Sequence, residues 1–144
     1  MKQSGDKEKL KESLFNILRT IYQFERYSVL TFGLNYQEIY LMNVLKRQSP
    51  KKMSEVSAEL RIEAFSSSRL VSRMAAKGLI KRYKAGSDKR NVFVALTDKG
   101  ETLTKKISDS SLEVIQKNFK KADPKTVESF FNAAANIHEI LKMD

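Results

Sequence analysis

Ser66-Ser67-Ser68 is followed directly by Arg69, and Arg73 stands four residues further on. Short hydroxyls can meet oxyanions or base edges at close range, and two arginines at (i, i+4) on a helix share a face. Each arginine offers a planar fork of donors that suits a phosphate or the paired acceptors of a guanine. This is chemistry for gripping an anion, not for breaking a bond. A second cluster follows, with Arg82, Lys84, Lys89 and Arg90 around Gly86-Ser87-Asp88. Asp88 can accept from Arg90 or Arg82 and fix the shape of that loop. Blander readings stand beside these: a solvated helix start for the serines, a plain turn aspartate for Asp88, and a solvated face for any one cation.

Bond-breaking chemistry has little to work with. There is no cysteine and one histidine, His138, among 144 residues. That removes thiol nucleophiles, thiol redox sensing, disulfides and thiolate metal sites, and it disfavours a His-based triad or metal site within one chain. No Gly-rich phosphate loop, nucleophile–base pair or metal-ligand spacing stands in the chain, so no cofactor, no metal and no enzyme activity is expected. The composition, 41% hydrophobic and 31% charged, is that of a folded soluble domain rather than a disordered chain. Arg19, Glu25 and Arg26 interrupt the most apolar early stretch, and MKQSGDKEK carries no apolar signal region. A cytoplasmic protein without a membrane partner is the expectation.

The formal net charge is +10. Residues 46–93 hold 13 of the 27 lysines and arginines but only four of the 17 acidic residues, so this third carries +9 and the remainder is nearly neutral. A bias confined to one segment marks a surface for a polyanion.

Periodicity places these residues on elements. With two prolines and five glycines, long helices are expected. Leu10, Leu14, Ile17, Leu18 and Ile21 predict a helix over 7–31 that Gly33 ends, and Ile39, Leu41, Met42, Val44 and Leu45 predict another over 36–47. Ser54 reads as the N-cap of a short helix ending near Leu60, and a tight junction at Arg61–Glu63 leads to a helix over 64–78. There Leu70, Val71, Met74 and Ala75 face inward, leaving Ser66, Ser67, Ser68, Arg69, Ser72, Arg73 and Lys77 outside. The period then changes to two, with strands at 80–85 and 91–96 and turn residues between them. A helix from Thr97 or Asp98 to about Lys121 and another restarting at Asp123-Pro124 complete the chain.

Two helices with a tight junction followed by a β-hairpin make a winged helix-turn-helix. The fold class is therefore mainly α with a small β-hairpin wing. Double-stranded DNA is the partner that suits it: a helix whose polar face enters the major groove, and an arginine-bearing wing suited to the minor groove. The boundaries expected are 1–34 for an N-terminal helix, 35–97 for the DNA-binding module with its wing at 80–97, and 98–144 for the C-terminal helices.

The run Leu70-Val71-Ser72-Arg73-Met74-Ala75-Ala76-Lys77-Gly78-Leu79-Ile80-Lys81-Arg82 and the later Asp88-Lys89-Arg90-Asn91-Val92-Phe93-Val94-Ala95-Leu96-Thr97-Asp98-Lys99-Gly100 resemble the MarR family. The latter carries that family's wing pattern, D-x-R, an alternating strand, then L-T-x-x-G. The resemblance implies a dimeric transcriptional regulator that binds a pseudo-palindromic operator and is modulated by small, often aromatic, ligands. It implies Arg90 in the minor groove with Asp88 in support, Ser66–Arg69 toward the major groove, and Ser54 at the DNA backbone. The chain departs from the pattern at Arg61, where Gly is common, at Glu63, where Ser or Thr caps, and at Ser67, where an apolar residue usually sits.

Leu10, Leu14 and Ile17 near one end and Phe130, Phe131, Ile137, Ile140 and Leu141 near the other are more apolar surface than one small domain needs to hide. Two half-sites call for two copies, so these terminal helices are expected to form a homodimer interface. A compact monomer core is the alternative, and His138 reads as a packed or interface histidine. Tyr22, Tyr27, Tyr36 and Tyr40 are candidate lining for a small aromatic ligand, although such a stripe is commonly core. Against a regulator stands a winged-helix protein-interaction module with only non-specific DNA affinity.

Overall fold

The computed structural model describes residues 4–87 and 89–143. Its elements begin and end where local chemistry dictates. Helix α1 (Ser4–Phe32) closes at Gly33, whose φ of 68° suits the left-handed cap and whose N–H donates to the Val29 carbonyl at 3.0 Å. Helix α2 (Tyr36–Arg47) starts with a reciprocal cap: Glu38 N–H donates to Asn35 Oδ1 at 2.9 Å, and Asn35 N–H donates to Glu38 Oε2 at 3.0 Å.

Strand β1 (Lys51–Lys52) runs into α3 (Met53–Leu60), and a short turn leads to α4 (Ala64–Ala76). The hairpin of β2 (Ile80–Lys84) and β3 (Val92–Leu96) comes next, then α5 (Asp98–Phe119) and α6 (Pro124–Leu141). Thr97 caps α5 by accepting the Gly100 N–H at 3.0 Å. Asp123 caps α6 by accepting the Thr126 N–H at 3.0 Å, with Pro124 at the first helical position. The Thr126 hydroxyl and N–H hold the Asp123 carboxyl below the usual aspartate range.

The expected hairpin is part of a three-stranded antiparallel sheet of order β1-β3-β2. Lys51 pairs with Val94 and Lys52 with Phe93, while on the other side Ile80 pairs with Leu96 and Lys84 with Val92. Two residues carry no periodicity, so β1 has no signature in the sequence; the open edge of β3 makes it a strand.

The chain divides into two compact units, Met1–Ile107 and Ser108–Asp144. In the first, Leu34, Leu41, Met42 and Leu45 pack with Val56, Leu70, Val71, Met74, Leu79, Ile80, Val94, Leu96 and Ile107. This core holds α2, α3, α4 and the sheet together, and so fixes the pose of α4. In the second, Phe119, Phe130 and Phe131 form an edge-to-face cluster with centroids 5.3–5.9 Å apart.

Candidate nucleic-acid interface

Four residues of α4 are buried: Ser67, Leu70, Val71 and Met74. At about 100° per residue, Phe65, Arg69, Ser72 and Ala76 fall within about 40° of the line opposite that buried stripe. All four are exposed. The outward ridge of α4 is thus led by Phe65 and Arg69, with Ser66 and Arg73 on one flank and the half-buried Ser68 on the other.

This phase corrects the expectation for Ser67. It is 0% exposed, so its hydroxyl is not available to a duplex. Its Oγ lies 2.6 Å from Ser57 Oγ and 3.0 Å from the Ala64 carbonyl it can donate to. The pair satisfies a polar group at a core position, which a buried hydroxyl requires. Ser66 keeps its expected exposure.

Phe65 was not among the candidate residues. It is 69% exposed, and the Arg69 guanidinium carbon stands 5.6 Å from its ring centroid. The available signal was its phase: an aromatic four residues before Arg69, off the stripe of Leu70, Val71 and Met74.

Three further basic side chains of this segment, Arg73, Lys77 and Arg82, are held by named partners. Glu38 of α2 is 1% exposed and accepts from Lys77 Nζ at 3.0 and 2.9 Å, with Arg73 Nε at 3.5 Å. Burial alone pushes the Glu38 carboxyl up, but Lys77, the Asn35 N–H and Arg73 outweigh it and hold it below the usual glutamate range. Arg73 therefore anchors α4 to α2 as well as standing at its surface. Arg82, named above as support for the loop, donates to Ser72 Oγ at 3.0 Å and so ties the wing strand to the outer face of α4.

Helix α3 begins earlier than expected. Lys52 is its N-cap and its N–H donates to Glu55 Oε2 at 2.6 Å, so Ser54 lies exposed in the first turn rather than at the cap. Between α3 and α4, Arg61 takes the left-handed conformation at φ 50°, and Glu63 is an N-cap without a side-chain bond. In the wing, Tyr83 and Phe93 stack at 5.8 Å and stiffen the hairpin, Gly86 turns at φ 70°, and Lys89 and Arg90 are exposed near the tip. Asp88 lies outside the described residues.

A winged helix DNA-binding domain family matches residues 34–100. The HTH-type transcriptional regulator MgrA of Staphylococcus aureus is 34% identical over 109 residues, 75% of this chain and 74% of that protein. The chain belongs to the MarR family. It is a MarR-type transcriptional regulator with a winged-helix DNA-binding domain.

The fold agrees throughout. A MarR family protein from Bacillus stearothermophilus superposes with a TM-score of 0.84 at 16% identity, covering 98% of this chain and 99% of that one. AbsC, a MarR family regulator from Streptomyces coelicolor, gives 0.73 at 19%, covering 98% and 97%.

The MarR-like run Leu96-Thr97-Asp98-Lys99-Gly100 now has a physical reading. Thr97 Oγ1 donates to the Gly78 carbonyl at 2.6 Å, and Lys99 Nζ donates to the Lys77 carbonyl at 2.8 Å. Both bonds hold the end of α4 against the start of α5. Gly100 is buried where a Cβ would run into the Leu79 carbonyl and stand 3.2 Å from Leu96 Cδ2.

Three of the four candidate tyrosines line two grooves. Tyr22 and Tyr36 line a small groove of about 140 Å³ with Glu25, Arg26, Val29 and Asn35. Tyr40 lines another of about 430 Å³ with Arg47, Lys51 and Glu59. Burial and a hydrogen bond to Glu25 push the Tyr36 hydroxyl up. A hydrogen bond to Glu59 at 3.1 Å, with burial, does the same for Tyr40. Tyr27 is exposed. Leu10, Leu14 and Ile17 on α1 are exposed, as are Phe130, Phe131, Ile137 and Leu141 on α6, and His138 is exposed as well. Among the described residues no helix is long and apolar enough to cross a membrane, and no group of acids and histidine could hold a metal ion.

Proposed function

We propose that the chain acts as a cytoplasmic homodimer that reads a pseudo-palindromic operator, with α4 in successive major grooves and the wing in the flanking minor grooves. The observation that carries this is the outward ridge of α4, which bears Arg69 with Ser66 and Arg73 on its flank and is tied by the Arg82–Ser72 bond to a wing bearing Lys89 and Arg90. Ser54 and Ser68 are candidate phosphate contacts beside it. Residues 1–34 and 98–144 serve as the dimer frame and 35–97 as the DNA-binding module. The exposed apolar residues of α1 and α6 support dimerisation, because a lone copy would leave Leu10, Leu14, Ile17, Phe130, Phe131, Ile137 and Leu141 in water. A small aromatic ligand, taken in the groove of Tyr22 and Tyr36, adjusts the half-site spacing. Operator affinity unchanged across a broad panel of aromatic compounds would remove that last clause. No catalytic role is proposed.

The test is selection of bound sequences from random DNA by the purified protein, followed by anisotropy titrations across a salt series. A palindromic motif is expected, with affinity falling steeply with salt. Arg90→Ala should weaken binding and flatten the salt dependence by about two ions per dimer. Full affinity in an Arg69/Arg73/Arg90 triple alanine variant overturns the reading. Enrichment of no sequence favours the protein-interaction module.

A further inference from the structure

Phe65 is the one large apolar side chain on the outer face of α4, and nothing in the core accounts for it. At 69% exposed, the Phe65 ring forgoes most of the gain that burying it would bring. It stands on the first turn of the helix, the part that reaches base edges when a recognition helix enters the major groove. Arg69 lies over its ring at 5.6 Å, which restrains both side chains on one ridge. The apolar spot is one large side chain wide: Ser66 adjoins it and Arg69 lies over it, while Arg73 and the Arg82–Ser72 bond lie about two turns further along the helix. An apolar protein partner would meet too little greasy area and too much positive charge there. A polyanion that carries an isolated methyl group fits both features.

Resting on the DNA-binding reading above, we infer that Phe65 and Arg69 form a two-residue reader. The Phe65 ring packs on the 5-methyl group of a thymine, and Arg69 donates to O6 and N7 of a neighbouring guanine. The major groove is where both groups are displayed. The ring in turn limits the arginine's rotamers, so the guanine contact is made by a side chain already held in place.

The test uses the full-length protein and the operator found by selection. Each thymine is replaced singly by deoxyuridine, which deletes only the methyl. One position per half-site is expected to weaken wild-type binding about fourfold, the worth of one buried methyl. It should lie next to a guanine whose replacement is penalised by the wild type and not by Arg69→Ala. In Phe65→Ala the uridine penalty should vanish, and in Phe65→Leu it should shrink. An unchanged thermal midpoint shows that these exposed-site variants fold. Wild-type indifference to every uridine, or a penalty of equal size in Phe65→Ala, overturns the methyl contact while leaving the regulator intact. A selection that enriches no sequence overturns the DNA reading and this one together.

Discussion

Replacing Glu38 should uncouple the recognition helix from the helix behind it. The side chain does two jobs. One oxygen accepts the Asn35 N–H at 3.0 Å and caps α2, while both face Lys77 Nζ at 3.0 and 2.9 Å, with Arg73 Nε at 3.5 Å from one of them. Loss of the cap alone costs about 0.5–2 kcal/mol. Removing one partner of a buried pair costs about 3–5 kcal/mol when the other charge is stranded. Here the cations are not stranded: the Lys77 and Arg73 side chains are 42% and 48% exposed and rehydrate. Net destabilisation of Glu38→Ala is therefore expected near about 2–4 kcal/mol, between the cap alone and a stranded pair. The sign with pH follows from the direction of the shift. Glu38 titrates lower in the folded chain than in the unfolded one, so its contribution is complete above the ordinary value of 4.5 and fades as pH falls through the folded value. Urea titrations at one protein concentration, from neutral pH into the acid range, would measure both effects. Glu38→Gln keeps the shape and an acceptor for Asn35 but should flatten the acid limb. An alanine variant within about 0.5 kcal/mol of wild type, the usual reach of an inert surface change, would refute the coupling, as would identical pH profiles for wild type and glutamine.

Gly100→Ala should destabilise the domain by about 1–3 kcal/mol or more, because the new Cβ meets the Leu79 backbone and cannot be relieved by a side-chain rotation; a urea midpoint equal to wild type would contradict this. Ile17→Glu, with or without Leu14→Glu, places charge on the exposed apolar face of α1 and should yield a helical monomer with greatly weakened operator binding. Sedimentation equilibrium decides it, and a persistent dimer of unchanged affinity would rule that face out of the interface.

Elements with a chemical start and stop were legible from the residues. Gly33 ends α1, Asp123-Pro124 opens α6, and the spacing of Ile39, Leu41, Met42, Val44 and Leu45 gives α2. The wing showed itself by its change of period, and its bounds moved by a residue at each strand. What escaped was decided by tertiary context. Strand β1 exists because β3 has an edge to offer at Lys51–Lys52. The start of α3 depends on which N–H the Glu55 carboxylate reaches, and Lys52 takes it ahead of Ser54. Arg61 adopts a left-handed conformation that glycine adopts more readily, because the turn from α3 to α4 requires it. Ser67 read as surface because it is polar and flanked by serines. Its helical phase and the Ser57 hydroxyl across the core reverse that reading.

Helical phase and pairing also revise the meaning of the charge. The excess of +9 over residues 46–93 counts every lysine and arginine alike. The structure separates them by partner. Arg73 and Lys77 face Glu38, and Lys46 lies 3.7 Å from Glu101; both acids belong to the near-neutral remainder of the chain. These pairs fasten the module to its frame and neutralise part of the field a duplex would feel at the C-terminal half of α4. The field that steers an approaching duplex is then strongest at the first turns of α4 and along the wing, where Arg69, Lys81, Lys84 and Lys89 are exposed. Sequence discrimination has to come from the same end of the helix, since that is where side chains project away from the core without an internal acid to hold them. An apolar ring beside an arginine at that end adds what charge cannot supply, a contact whose strength depends on which base is present.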